Sequence, residues 1–226
     1  MPALTRKCHS SSEPSLPTRD RFIELSERYA AFSRDAGVEL IPYRDPALPY
    51  FSSLGDREKR EVLANLETAV GICASASREG MTMKDSRGLV WQAIRAFGFR
   101  PTSDLFQYID DDLVLEVHTR EGRQIFRNFN FYQFCSYSLE ELHCLSWADL
   151  YIREPQESVD QIHALAGRVF EGKINSTQPA GIVPHYVTEA ISPKAMRLFL
   201  QLRFVSTLFH DGQPAASVVL TDCRFA

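Results

Sequence analysis

Five cysteines, six histidines and a run of three aspartates are the side chains of this sequence best suited to chemistry, and their spacing decides what they can do. Cys8, Cys73, Cys135, Cys144 and Cys223 form no C-x-x-C pair and are odd in number. They read as neither a disulfide framework nor a zinc module, but as reduced thiols packed like small apolar residues. A cytoplasmic or nuclear setting follows. His118, His143, His185 and His210 fall in different expected elements, with no metal-ligand spacing among them. Asp110, Asp111 and Asp112 read as a solvated run, or as caps at the start of a strand or turn. No G-x-S-x-G elbow, Walker loop or H-E-x-x-H helix occurs, and no carboxylate pair stands out as general acid and base. The pattern points to a module that binds rather than catalyses. The alternative is a small α+β enzyme, or a ligand carrier, that uses a sheet concavity as its site.

The bulk properties agree. The 226 residues are 44% hydrophobic and 24% charged, as in ordinary globular domains. Net charge is −4 with Lys and Arg scattered, so direct binding of nucleic acid is not expected. No apolar run is long enough to span a bilayer, and no membrane partner is expected. The first residues, MPALTRKCHSSSEPSLPTR, lack the apolar core of a secretory signal. They are basic and Ser-rich like a transit peptide, but Glu13 and the prolines interrupt any amphipathic helix.

Positioning these side chains takes helices first and strands second. Residues 1–19 read as disordered. Residues 20–103 read as a helical extension. In it Phe22, Leu25, Tyr29 and Phe32 make one stripe, a second helix runs over 56–77, and a third begins at Asp85 or Ser86. The period then switches. LVLEVH (113–118) and QIFRNF (124–129) read as a hairpin through REGR, and 129–171 as broken helices. Three strand-like runs follow at 183–191, 196–209 and 215–223, with turns at Ser192-Pro193-Lys194 and Asp211-Gly212. The order predicts an α+β domain over 104–226: a five-stranded antiparallel sheet with its helices on one face.

Within it, QIFRNFNFYQFCSYSLEEL (124–142) concentrates six aromatic residues around regularly placed polar ones. Asn128 is placed to cap the helix after the second strand, and Phe131 and Phe134 to face its core. Ser138 is placed to cap a further helix, with Glu141 at the capping-box position. The order Asn128, Phe131, Phe134, Tyr137-Ser138, Glu141-Leu142 resembles the centre of a PAS domain, N-P-x-F-x-x-x-x-G-Y-S-x-x-E-L. Phe129 stands in place of the proline and Ser136 in place of the glycine. WADLYIREPQE and the terminal LTDCR extend the resemblance, which spans Leu113 to Ala226. It is similar to PAS modules attached to oomycete and fungal transcription factors, although no leucine-zipper basic region or zinc cluster is present.

The resemblance implies sensing, dimerisation or partner binding in signalling or transcription regulation. The reactive-cysteine place of flavin photoreceptors falls on Trp147, and a haem would use His163. Neither cofactor is expected to be tightly bound. Phe126, Phe131, Phe134, Trp147, His163 and Phe170 are the candidates to line a pocket for a small apolar ligand, with a filled core the favoured arrangement. A homodimer is expected through the stripe Phe22, Leu25, Tyr29 and Phe32, and through Phe199 and Val205 on the outer sheet face.

Overall fold

The computed structural model describes residues 18–226 except positions 121, 180 and 193. The disordered segment expected over 1–19 therefore lies outside the described residues, as does Cys8; only Thr18 and Arg19 are described, and they begin a helix. That helix, α1 (Thr18–Asp35), buries Phe22, Leu25 and Tyr29 against the Val62, Leu66 and Val70 face of α3 (Asp56–Arg78). Between them α2 (Pro49–Ser53) is a single turn opened by Pro49. α4 (Ser86–Ala96) starts at Asp85, whose carboxylate accepts the Gly88 N–H at 2.7 Å, while Asp111 accepts that of Ser86 at 3.0 Å. A short α5 (Leu105–Tyr108) leads into the sheet. No described helix is long and apolar enough to cross a membrane.

The remaining elements are β1 (Val114–Thr119), β2 (Gln124–Arg127), a 3-10 helix (Phe129–Phe134), α6 (Leu139–Cys144), α7 (Trp147–Leu150), β3 (Tyr151–Glu154) and α8 (Gln156–Phe170). They are followed by β4 (Ser176–Thr177), β5 (His185–Glu189), β6 (Arg197–His210) and β7 (Gln213–Phe225). The fold is α+β, with one antiparallel sheet ordered β2-β1-β7-β6-β5-β3 and β4 also paired with β6. Asp211 and Gly212 both take positive φ, 49° and 77°, the two-residue turn that matches the twist of the long β6–β7 hairpin. The other two expected turns include positions 121 and 193, outside the described residues.

Seven strands replace the five expected. β3 is four residues between two helices and β4 is two, lengths at which alternation carries almost no signal.

The expectation of helices on one face also fails, because the central strands are apolar on both faces. On one side Leu115, Val117, Phe204, Leu208, Val218 and Leu220 are buried in a core continuous with α1–α5. Tyr108 stacks on Phe204 at 4.1 Å, and the Thr102 and Ser206 hydroxyls meet at 2.6 Å. On the other side lies α8. The stripe Phe22, Leu25 and Tyr29, expected to pair between subunits, is thus spent within the chain, with Tyr29 stacked 5.4 Å from Phe129 and Phe32 half-buried against the same core. The helical segment packs as a layer on this face of the sheet.

Val205 needs a second correction. β6 carries an extra residue, Arg203, between the partners Leu202↔Thr221 and Phe204↔Leu220. This bulge inverts the alternation, so Leu198, Leu200 and Leu202 share their face with Val205 rather than with Phe204. Val205 faces inward beneath α8. Phe199 remains on the outer face, beside Tyr186.

Asn128 occupies the N-cap position of the 3-10 helix, but its side chain makes no cap bond. Its Oδ1 accepts the Leu115 N–H at 3.0 Å, and its Nδ2 donates to Ser86 Oγ and to the Leu113 carbonyl, both at 2.8 Å. The amide ties β1 to the start of α4. We expect Asn128→Ala to cost about 2–3 kcal/mol in urea denaturation, since it leaves buried backbone groups unpaired. A loss near the about 1 kcal/mol of an ordinary cap would overturn this role. A chain beginning at Asp104 exposes the buried face of β1, β6 and β7. It is expected to aggregate or bind hydrophobic dye rather than to sediment as a folded monomer.

Candidate functional site

Beneath α8 the sheet is not filled. A cavity of about 690 Å³ separates the inner face of β1, β3, β5, β6 and β7 from the helix. Its roof is Val159, Ile162, Leu165, Ala166 and Phe170, all on one stripe of α8. These residues remain only half-buried, and Val169 is the one buried apolar side chain of the helix. The floor is Val114, Leu198, Leu200, Leu202, Val205 and Val219, and one end is closed by Phe131, Phe134 and Trp147. Exposed Arg120, His163 and Glu171 mark where the cavity meets solvent. At about 24 cal/mol per Å³, a sealed void of this size would cost on the order of 15 kcal/mol, as much as a whole domain's stability. The open rim admits water and removes that cost, leaving a wet, mostly apolar chamber.

Five of the six pocket candidates thus border the cavity: Phe131, Phe134, Trp147, His163 and Phe170. Phe126 does not. It pairs with Val117 and is buried in the α1–α5 core on the opposite face. The filled core favoured by the sequence is replaced by a chamber, because α8 stands off the sheet. His163 is at the rim and exposed, not enclosed.

The polar lining was not foreseen. Arg153 of β3 donates from Nη1 to His185 Nε2 of β5 at 3.0 Å, and its guanidinium lies 5.7 Å over the Trp147 ring. Because an arginine cannot accept, His185 Nε2 must be unprotonated, so the neutral ring carries its proton on Nδ1. That N–H is buried with no partner among the described residues. Burial, reinforced by Arg153, pushes the His185 pKa down to about 4. On β1, Glu116 holds Gln124 Nε2 and lies 3.9 Å from His118. Burial raises its pKa, but His118, Arg127 and Arg153 together outweigh burial and the net shift is downward. Arg127, 5% exposed, stacks 4.7 Å over Phe131, and its Nη1 has no hydrogen-bond partner among the described residues. Residues 153 and 185 meet only through β3–β5 pairing. The one available signal was the Tyr-Ile-Arg-Glu alternation just before Pro155.

The loop that closes the chamber is clipped down by polar contacts. Ser136 donates its N–H and hydroxyl to the buried Glu189 carboxylate, at 2.7 and 2.5 Å, and touches Ser192 Oγ. The Ser136 hydroxyl supplies a contact that a glycine at this position would lack. Tyr137 donates to the Leu150 carbonyl and accepts the Ile191 N–H. Ser138 caps α6, its hydroxyl accepting the Glu141 N–H while Glu141 Oε2 accepts that of Ser138 at 2.6 Å. The thiols nearby are inert: burial raises Cys135 to about 11, and Cys144 and Cys223 to about 12. Among the described residues no three His, Cys, Asp or Glu side chains gather as a metal site.

The depressed histidine makes acid sensitivity a readout of this site. The unfolded chain takes up a proton near pH 6.5 that folded His185 refuses until about 4. Its contribution is neutral above that window, and stability is lost as pH falls through it. His143, pushed to about 3 by burial and Arg127, acts in the same direction. We expect His185→Gln to remove about 2–3 kcal/mol of the stability loss between about pH 7 and about pH 4.5 in denaturation curves. Parallel pH profiles for the two proteins would contradict the buried neutral ring.

No family model, curated protein or solved structure matches this chain, so the meaning of the site rests on its own geometry and chemistry.

Proposed function

We propose that the chain is a PAS-like sensory module whose cavity under α8 takes a small, mostly apolar ligand. Its role would be signalling or transcription regulation through a protein partner or a second copy, in the cytoplasm or nucleus. The observation that carries the reading is the unfilled chamber. The apolar stripe of α8 is left only half-buried over the sheet, and a ligand of matching shape removes the rest of that surface from water. The PAS resemblance adds to it. The five strands expected from sequence lie in the order second, first, fifth, fourth, third, with the helices inserted between the second and third. The outer sheet face beyond the reach of α1–α5 supplies a contact surface. There Tyr186 and Phe199 lie 5.7 Å apart, and Arg197 stacks on Tyr186 at 4.4 Å.

An enzymatic use of the same concavity is less well supported. Glu116 and His118, its best acid–base couple, are 3.9 Å apart, beyond hydrogen-bonding reach.

Nile red, an uncharged dye that brightens in apolar surroundings, tests the ligand reading. Saturable binding of about one dye per chain is expected, and Ala166→Trp, which fills the chamber from α8, should weaken it at least about tenfold with the circular dichroism unchanged. Dye binding that does not saturate, or that ignores the substitution, would remove the basis for a sensory cavity. Native mass spectrometry of the same sample reads oligomeric state and any retained ligand.

A further inference from the structure

The chamber lining carries two arginines and two glutamates, unequally placed: Arg120 and Glu171 are exposed at the rim, while Arg153 and Glu116 lie farther in. Arg153 reaches the cavity from β3, and among the described residues its one hydrogen bond is to a neutral histidine. Its other N–H groups have no protein acceptor among the described residues. Glu116, the nearby carboxylate on the same wall, is engaged by Gln124 and His118 and acts on Arg153 only at longer range. Arg127 adds a second cation behind Phe131, also without a carboxylate within ion-pair distance among the described residues. Arg153 is thus a guanidinium in a mostly apolar enclosure with no carboxylate within ion-pair distance among the described residues. A cation so placed costs several kcal/mol unless an anion or water answers it.

We infer that the ligand is an amphipathic monoanion, a carboxylate on an apolar body, with its head on Arg153 and its body under α8. This rests on the reading of the chamber as a ligand site and adds the ligand's charge and orientation. The guanidinium fork matches a carboxylate through two parallel N–H···O bonds. Trp147 stacks on the guanidinium from one side, and His185, by taking one N–H, fixes the direction of the rest. Past the head, Leu198, Leu200, Val219 and the α8 stripe offer apolar contact to the body.

The experiment compares dodecanoate with dodecanol, equal in chain length and differing in the charge of the head, as competitors of Nile red on the full chain. Dodecanoate is expected to displace the dye at least about tenfold more effectively. Arg153→Gln should abolish the difference by weakening the acid alone, and Arg153→Lys should keep part of it. Equal competition by acid and alcohol in the wild-type protein overturns the anionic head while leaving the apolar chamber intact. Failure of both to compete overturns the chamber reading together with the inference. Retention of the preference in a folded Arg153→Gln variant overturns the assignment to Arg153.

Discussion

The central strands of this sheet are apolar on both faces, and everything else in the fold answers to that constraint. β1, β6 and β7 alternate two buried sets of side chains, so a single layer of helices leaves one set in water. The helices of the first hundred residues cover one set so closely that their stripe and the sheet form a continuous core. α8 covers the other set alone. One helix of 15 residues cannot fill a face five strands wide, and the shortfall is the chamber.

What keeps the two layers in register is a group of buried carboxylates rather than more apolar contact. Glu140 accepts the Tyr50 and Phe51 N–H groups at 2.9 and 3.1 Å, capping α2 from across the interface, and burial raises its pKa. Glu141 serves Ser138 and also pairs with Arg44 at 3.2 Å, while the Ile41 and Pro42 carbonyls accept the first N–H groups of α6. The connector over 38–51 and the start of α6 therefore cap each other. Glu189 does the same work at the other end of the loop by holding Ser136. Apart from Ser138–Glu141, these partners stand 53 to 98 residues apart, so their geometry is available only once both layers have docked.

That distance separates what was legible in the sequence from what was not. The 3.6-residue stripes of α1, α3 and α4, and the Asp-Gly turn of the β6–β7 hairpin, are local patterns, and their residues stand where those patterns place them. Asn128 was placed correctly along the chain yet read as a cap, because its true partners, Leu113, Leu115 and Ser86, are not its neighbours. The face of Val205 was misread because one inserted residue, Arg203, inverts a parity that the sequence shows as unbroken. Of the site, the aromatic wall was legible from residue type and element. The Arg153–His185 pair was not, since β3 is too short to announce itself and the pair exists only through its docking on β5.

The same geometry explains why α8, rather than any other element, is suited to report on the chamber. Its caps and its single buried apolar side chain give it little hold on the sheet, which places it among the least stable parts of the domain. A ligand in contact with both the α8 stripe and the β6–β7 floor stabilises the closed arrangement over any in which the helix has lifted, by its differential affinity for the two. The side chains that would sense occupancy, Val159, Ile162, Leu165 and Phe170, lie along the helix from its first turns to its last residue, and β4 follows six residues later on the edge of β6. β6 continues past the bulge to Phe204 and Leu208 in the α1–α5 core, and its first half carries Phe199 on the exposed face. β6 is thus one strand that touches the chamber, the helical layer and the open surface at once.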